Sequence, residues 1–289
     1  MIPAAFEYHR ATSVEDALAK LAASNGAGKV IAGGHSLLPT MKMRLAQPGL
    51  VIDIARLPAL IGIREQSGRL EIGACTTHHD IATSGVLRQQ APVLAEAAAA
   101  IGDPQVRHRG TLGGSLAHAD PSADYPAAML ALDAQIHVQG QHGARRIAAH
   151  DFFRDLFTVD LQPDELIMAV SFAPAPASAY EKLHQRASHF AIVGVAAAVH
   201  LRDGVIQWAR LGLTGATPHA VRLSSVEVQL AGQSGSAESS AAAAAGAGDA
   251  LAEVNADLHG SAEYRRAMVS VFARRAVARA LDRARTTGR

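Results

Sequence analysis

Two pairs of adjacent glycines constrain this chain more than any other feature of its sequence. Gly33-Gly34 follows an apolar run typical of a buried strand, and Gly113-Gly114 lies in a segment rich in Gly, Pro, Asp and His. Adjacent glycines can adopt positive φ and present successive backbone N–H groups, which form a concave site for phosphate oxygens. Taken alone, each pair is explained at least as well by a tight turn without a ligand. The pairs therefore indicate either a pyrophosphate site or two structural turns.

The usual nucleotide and metal motifs do not accompany these glycines. Neither pair belongs to the three spaced glycines of a dinucleotide-binding fold or to a phosphate loop ending in Gly-Lys-Ser/Thr. His78-His79-Asp80 is the densest cluster among the 14 histidines, but adjacent side chains point to different faces of a helix or strand. The sequence shows no His-Glu-x-x-His, Ser-His-Asp or Cys-His arrangement, so we predict neither a metal site nor a catalytic residue on this chain.

Cysteine content and charge narrow the possible chemistry. Cys75 is the single cysteine, so the chain alone cannot hold an iron–sulfur cluster or a Cys-rich zinc site. Any redox chemistry therefore needs an organic cofactor. The 27 basic and 26 acidic residues leave a formal net charge of +1, which argues against nucleic acid as a partner. The N-terminal residues do not resemble a signal peptide and charges interrupt every candidate membrane span of about 20 residues, so we expect a cytoplasmic protein without a membrane span.

Apolar patterning and chain breakers divide the sequence into three parts, residues 1–55, 56–176 and 177–289. The first part opens with a helix that Ser13 caps and continues with two apolar strands, which is typical of a small α/β lobe. The alternating prolines of Pro174-Ala175-Pro176 keep the chain extended and prevent it from joining a helix. We therefore predict the border of the third part at this point.

Four local predictions follow from the same patterns. Alternating apolar residues predict a β-hairpin at residues 61–72. The density of Gly, Pro, Asp and His predicts a long functional loop at residues 102–126. The Ala/Gly/Ser-rich composition of residues 234–248 predicts a mobile loop. Apolar residues at helical spacing predict a basic terminal helix at residues 261–281.

Further motifs accompany the glycine pairs in a fixed order. They are Ala32-Gly33-Gly34-His35-Ser36-Leu37-Leu38-Pro39, Gly73-Ala74-Cys75-Thr76-Thr77-His78, Thr111-Leu112-Gly113-Gly114-Ser115-Leu116-Ala117-His118-Ala119-Asp120-Pro121, Ser122-Ala123-Asp124-Tyr125-Pro126-Ala127 and Tyr264-Arg265-Arg266. Together they resemble the FAD-binding medium subunits of molybdenum hydroxylases, the carbon monoxide dehydrogenase and xanthine dehydrogenase family. The resemblance implies an α+β fold of the vanillyl-alcohol-oxidase (PCMH) type, in which two α/β lobes bind FAD and a C-terminal α+β domain caps the flavin.

The resemblance also implies the residues that contact a noncovalently bound FAD. Backbone amides of two segments, residues 32–36 (the first glycine segment) and 111–115 (the second glycine segment), would bind the pyrophosphate and the nearby ribose. The implied contacts are Ala32, Gly33, Gly34, His35, Ser36, Ile101, Thr111, Gly113, Gly114, Ser115, Asp124, Leu166, Lys182 and Phe190.

Three of these side chains have specific implied roles. The Asp124 carboxylate would accept hydrogen bonds from ribitol or ribose hydroxyls, and the alternative is that it only caps a helix. Lys182 would stabilise negative charge on the reduced flavin. Phe190 would cover one face of the flavin ring, and the alternative is an ordinary core residue at the start of a buried strand.

The function implied is electron transfer within a larger complex. FAD would receive electrons from [2Fe–2S] clusters on a small partner subunit and pass them to an external acceptor, while a large molybdopterin subunit hydroxylates the substrate. The implied assembly is a dimer of such heterotrimers. Two alternatives remain open at this point: a self-contained flavin oxidase or dehydrogenase of the same fold, and a non-enzymatic FAD-binding scaffold protein.

Overall fold

The computed structural model describes residues 2–287, and its strands form sheets of three, five and four strands with one two-stranded ribbon. The elements of the first sheet region are β1 (Glu7–Arg10), α1 (Val14–Ala23), β2 (Gly28–Ile31), α2 (Leu37–Lys42) and β3 (Leu50–Asp53). Strand order is β1-β3-β2, and both outer strands run parallel to β3. Ser13 accepts a hydrogen bond from the Asp16 amide and caps α1, as predicted. A 3₁₀ helix (Pro58–Leu60) leads into the second sheet region.

The second sheet region contains a five-stranded antiparallel sheet with helices packed against it. Its elements are β4 (Ile63–Gln66), β5 (Arg69–Gly73), α3 (His78–Thr83), α4 (Gly85–Gln90), α5 (Pro92–Ala99), α6 (Pro104–Arg107), α7 (Leu112–His118), α8 (Tyr125–Ala131), β6 (Gln135–Gly140), β7 (Gly143–Ala148), α9 (Ala149–Phe152), β8 (Phe153–Asp155), β9 (Thr158–Val159) and β10 (Leu166–Phe172). Strand order is β4-β5-β10-β6-β7, and the predicted hairpin of β4 and β5 is confirmed. Alanine-rich α5 and α8 are mostly buried, because small side chains allow close packing on the sheet.

The third sheet region carries a long terminal helix across a four-stranded antiparallel sheet. Its elements are β11 (Ser178–His184), β12 (Ala191–Arg202), β13 (Val205–Thr214), β14 (Val221–Arg222), α10 (Ser224–Leu230), α11 (Ala237–Ala244) and α12 (Ala262–Thr287). The predicted terminal helix is confirmed as α12. The predicted mobile loop at residues 234–248 was wrong, because Ser236 caps α11 and Ala243 and Ala244 pack into the core.

The connection between α5 and α8 is not the long loop that its composition predicts. Asp103 caps α6 by accepting from the Val106 amide, and Thr111 caps α7 by accepting from the Gly114 amide. Gly113 therefore lies in the first turn of a helix rather than in a loop. The cap residues are the sequence signals that the dense Gly and Pro content obscured.

The third sheet region is hydrogen-bonded to the chain just after α7. The Thr214 hydroxyl donates to the carbonyls of Pro121 and Ala123 at 2.9 and 2.7 Å, and the Gly215 amide donates to Pro121 at 2.7 Å. The Ala191 amide donates to the Ser122 carbonyl at 3.1 Å. These bonds fix the start of α8 against the third region. The division of the chain at residues 55 and 176 stays a prediction.

Among the helices of residues 2–287, none combines the length and the apolar character that crossing a bilayer requires.

Candidate functional site

The first glycine segment presents free backbone donors at the end of β2. Residues 32–36 are half-buried or exposed. Within the described residues, the amide N–H groups of Gly33, Gly34, His35 and Ser36 have no hydrogen-bond acceptor. Gly34 has φ +77°, as predicted for a concave amide site, whereas Gly33 does not have positive φ. A row of successive unpaired amides at a loop is suited to bind an anion such as a diphosphate.

The second glycine segment uses most of its amides inside the protein. The Leu112 amide donates to Thr76 O at 3.1 Å and the Gly113 amide donates to Ala74 O at 2.8 Å. The Gly114 amide donates to the Thr111 hydroxyl at 3.2 Å, and the Ser115 amide donates to the Thr111 carbonyl.

The expected row of free, positive-φ amides was therefore wrong for this segment. Neither Gly113 nor Gly114 has positive φ, because both belong to α7. The Thr111 amide and the Ser115 hydroxyl have no hydrogen-bond partner among the described residues and can still donate. That Thr111, Gly113, Gly114 and Ser115 contact a cofactor stays a prediction.

Glycine at position 33 allows the first glycine segment to pack against residues 109–110, which precede the second glycine segment. A Cβ at Gly33 would overlap the Arg109 carbonyl oxygen and lie 2.7 Å from the Gly110 Cα. His35 Nε2 lies 3.3 Å from the Gln105 carbonyl oxygen. The first glycine segment thus packs directly on the chain that leads into α7.

Gly114 is a glycine for a different reason. A Cβ there would meet only the Thr111 hydroxyl, at 2.8 Å, and the residue is exposed. A side chain at this position would therefore have to shift the hydroxyl that caps α7. The bare backbone leaves room for a molecule to approach α7 closely.

His78 packs against Gly110, the residue that precedes the second glycine segment. Its side chain is buried, its Nδ1 lies 3.0 Å from the Tyr125 hydroxyl, and a Cβ at Gly110 would overlap its ring. Burial lowers the pKa of His78 to about 4, with smaller effects of the charges of His35 and Arg107. The imidazole is therefore neutral at pH 7. Among residues 2–287, no group of three or more His, Cys, Asp or Glu side chains is placed to hold a metal ion.

A cleft of about 570 Å³ opens between the α5–α6 connection and β11. His35 of the first glycine segment contacts the carbonyl of Gln105, which lies between the lining residues Pro104 and Arg107. Its lining residues are Glu96, Ala99, Ala100, Gly102, Asp103, Pro104, Arg107, Tyr180, Lys182, His184 and His189. The predicted contact Ile101 lies between two lining residues and is half-buried, and Arg107 holds its carbonyl at 2.9 Å.

Asp124 and Lys182 form a buried ion pair at this cleft. The Lys182 ammonium lies 2.8 and 3.0 Å from the two carboxylate oxygens and also donates to the Ala100 carbonyl at 3.0 Å. Burial raises the pKa of Asp124, while hydrogen bonds and charge from Lys182 and a hydrogen bond from Tyr180 oppose that rise. The alternative of a helix cap was wrong, because the Asp124 side chain makes no capping bond to α8. Contacts of Asp124 and Lys182 with a cofactor stay predictions.

Tyr180 is not among the cofactor contacts predicted from the sequence, but its hydroxyl donates to Asp124 Oδ1 at 2.6 Å. Tyr180 and Lys182 are two residues apart on β11, so the period of a strand places them on the same face. This spacing is the signal from which Tyr180 was recognisable.

Phe190 and Leu166 do not line the cleft. Phe190 is half-exposed and lines a smaller hollow of about 210 Å³, while its neighbour His189 faces the cleft. Leu166 is buried in the core of the first sheet region. Their contacts with a cofactor stay predictions.

Comparison with known proteins identifies the family. Residues 4–175 match the model of the FAD binding domain in molybdopterin dehydrogenase, and residues 178–280 match the CO dehydrogenase flavoprotein C-terminal domain. The carbon monoxide dehydrogenase medium chain of Hydrogenophaga pseudoflava is 39% identical over 280 residues, covering 96% of this chain and 97% of that protein. The chain belongs to the FAD-binding medium subunits of molybdenum hydroxylases.

Two further relatives agree with this assignment. The 6-hydroxypseudooxynicotine dehydrogenase complex subunit alpha of Paenarthrobacter nicotinovorans is 40% identical, covering 99% of this chain and 98% of that protein. The solved carbon monoxide dehydrogenase from Hydrogenophaga pseudoflava, which lacks the Mo-pyranopterin moiety, matches with a TM-score of 0.93 and 40% identity over 98% of this chain and 99% of the other. The predicted family, the α+β FAD-binding fold and the oxidoreductase class are thereby confirmed.

The residues of this medium subunit fit FAD, the cofactor of its family. The first glycine segment offers unpaired amides of the kind that a diphosphate needs, and Gly114 leaves α7 open to close approach. The cleft between the α5–α6 connection and β11 has the volume of a typical ligand pocket and a buried ion pair in its wall.

Proposed function

We propose that this medium subunit binds FAD from the first glycine segment into the cleft beside Lys182 and conducts electrons from [2Fe–2S] clusters of a small partner subunit to an external acceptor. The single observation that carries the proposal is the row of successive amides from Gly33 to Ser36 that have no acceptor among the described residues. Bound FAD supplies the ability to accept and release electrons singly or in pairs.

The chain's own groups would each do a separate task. The amides of the first glycine segment would bind the diphosphate, and the exposed backbone of Gly114 would allow the cofactor to pass close to α7. Lys182 would keep a positive charge in the cleft wall, since Asp124 holds its ammonium in place. We retain His35, Ile101, Leu166 and Phe190 as further proposed contacts.

The metal chemistry belongs to partners in this proposal. Cys75 is a buried free cysteine, and burial raises the pKa of its thiol to about 12, so it is not available as a cluster ligand. The relatives carry the names medium chain and complex subunit. We therefore propose a small [2Fe–2S] subunit, a large molybdopterin subunit and a cytoplasmic dimer of such heterotrimers.

The experiment starts with the purified chain and measures its FAD content and visible spectrum. We expect yellow protein with about one FAD per chain. Candidate substrates alone should leave the flavin oxidised, whereas the chemically reduced small subunit, added without oxygen, should bleach it. Bleaching by a substrate without partners would indicate the self-contained oxidase. Colourless protein that does not take up added FAD would indicate the scaffold.

A further inference from the structure

Tyr180 lies behind the ion pair in the cleft wall. Its side chain is 4% exposed, and its hydroxyl reaches Asp124 Oδ1 at 2.6 Å. Burial and the neighbouring Asp124 carboxylate raise the pKa of this phenol well above its ordinary value. The phenol therefore stays protonated and acts as the donor, while the carboxylate accepts.

Gly194 provides the space for this phenol. It lies opposite Lys182 in the ladder between β11 and β12, and it does not have positive φ. A Cβ at Gly194 would overlap the Tyr180 hydroxyl and lie 2.8 Å from the Thr214 side chain. Glycine is needed here for space, at the point where the phenol passes to Asp124.

The backbone of Tyr180 is fixed from two sides. Its amide donates to Glu96 Oε2 on α5 at 2.9 Å, and its carbonyl accepts from Arg279 on α12 at 3.2 Å. Because these two bonds fix the backbone of β11 at Tyr180, the phenol is held at a defined distance from Asp124.

We propose that Tyr180 is a positioning residue for the cofactor charge. Its phenol orients the Asp124 carboxylate, which in turn holds the Lys182 ammonium against the Ala100 carbonyl in the wall of the cleft. Without the phenol, one buried carboxylate oxygen loses a donor, so the carboxylate turns and the ammonium follows. This inference rests on the proposed function, in which the flavin occupies this cleft.

A double-mutant cycle on the full chain tests the coupling. Tyr180→Phe removes only the hydroxyl, and Lys182→Met removes the charge that it is proposed to position. We expect Tyr180→Phe to raise the FAD dissociation constant about tenfold, the effect of losing one buried hydrogen bond, and to shift the visible absorption bands of the flavin. The double variant should show the spectrum and affinity of Lys182→Met alone, because the phenol has no charge left to position.

Tyr125→Phe is the matched control. Tyr125 is 0% exposed and its hydroxyl bonds to His78, so this variant also loses one buried tyrosine hydroxyl. Its effect on FAD affinity and on the flavin spectrum should add to that of Lys182→Met. A purely structural role of Tyr180 would give additive effects in both cycles, and that result overturns the proposal.

Gly194→Ala keeps the test decisive if Lys182→Met does not fold. The added methyl group displaces the phenol, so it should weaken FAD binding more in the Tyr180 protein than in the Tyr180→Phe background, where the clashing hydroxyl is gone. Equal losses in both backgrounds overturn the positioning role while FAD binding itself stands. Failure of the wild-type chain to bind FAD overturns the proposed function and this inference together.

Discussion

The two glycine segments differ in what their backbones do, although both contain a Gly-Gly pair. The amides of Gly33 to Ser36 have no acceptor within the part of the chain that the structure describes, whereas most amides of residues 111–115 are bonded to Thr76, Ala74 and Thr111. The first segment can therefore donate to an anion, and the second offers a close-packed surface on which a cofactor can lie. A pair of adjacent glycines does not by itself specify which of these roles a segment has.

Displacing the first glycine segment should have the largest effect. Gly33→Ala places a Cβ against the Arg109 carbonyl and forces the first segment away from residues 109–110, which lead into the second. We expect FAD affinity to fall about a hundredfold, which corresponds to about 3 kcal/mol and is within the range for overpacking a tight contact. Isothermal titration with FAD measures the loss.

Gly49→Ala is the control for this variant. Gly49 precedes β3 in the same sheet region, and a Cβ there meets only Ala27, at 3.8 Å or more. Its FAD affinity should match that of the wild type. Wild-type affinity in Gly33→Ala would show that the contact of the first segment with residues 109–110 does not matter for binding.

Acid should destabilise the folded protein through His78, which packs against Gly110 just before the second glycine segment. The pKa of His78 is about 4 in the folded protein and about 6.5 in an unfolded chain. Between these values the unfolded chain binds a proton that the folded protein does not, so stability falls as the pH is lowered from about 6.5 towards 4. At pH 5 we expect a loss of about 2 kcal/mol from this group.

Urea unfolding at pH 7 and pH 5 measures this loss, and His78→Gln isolates it. The variant lacks the titrating ring, so its stability should change less between the two pH values. An identical pH dependence in wild type and variant would exclude His78 as the acid-sensitive group.

Gly34→Ala tests the conformation of the first segment. Its φ of +77° is strained for alanine, and relief of that strain turns the neighbouring amides away from a common anion. We expect about tenfold weaker FAD binding, in line with a conformational cost of 1–2 kcal/mol. Gly68→Ala carries a similar strain at φ +71° in the β4–β5 turn and should lower stability without changing FAD affinity. Equal affinities in both variants would contradict a binding role for this segment.

Gly114→Ala should have the smallest effect. The helix propensity of alanine favours the variant by up to about 1 kcal/mol, but its Cβ would press on the Thr111 hydroxyl that caps α7 and oppose that gain, so the free energy of unfolding should change little. The methyl group reduces the space above α7, and we expect FAD affinity to fall about threefold, or about 0.7 kcal/mol. Unchanged affinity in a calorimetric titration would place the cofactor away from this residue.

Local signals made part of this molecule predictable from its sequence. The Ser13 cap, the hairpin of β4 and β5 and the terminal helix each depend on residues close together in the chain, and all three are confirmed. Motif order was sufficient for the family and therefore for the fold. Helices α6 and α7 were not predicted, because the glycine-rich composition obscured the caps at Asp103 and Thr111.

Long-range partners account for what the sequence did not reveal. The Asp124–Lys182 pair joins residues far apart in the chain, so the position of one residue in the sequence does not predict that it pairs with the other. The same holds for Gly33, where glycine is required by a carbonyl at Arg109. Contacts of this kind exist only after the sheets have packed together.

The Asp124–Lys182 pair also bears on how such chains can recombine during evolution. Its carboxylate and its ammonium come from either side of the Pro174-Ala175-Pro176 junction, and both are almost fully enclosed. A gene fusion that joins the N-terminal half of one relative to the C-terminal half of another must inherit both charges, since a lone buried ion costs several kcal/mol. The junction separates the two halves in sequence, but the two charged residues must be inherited together.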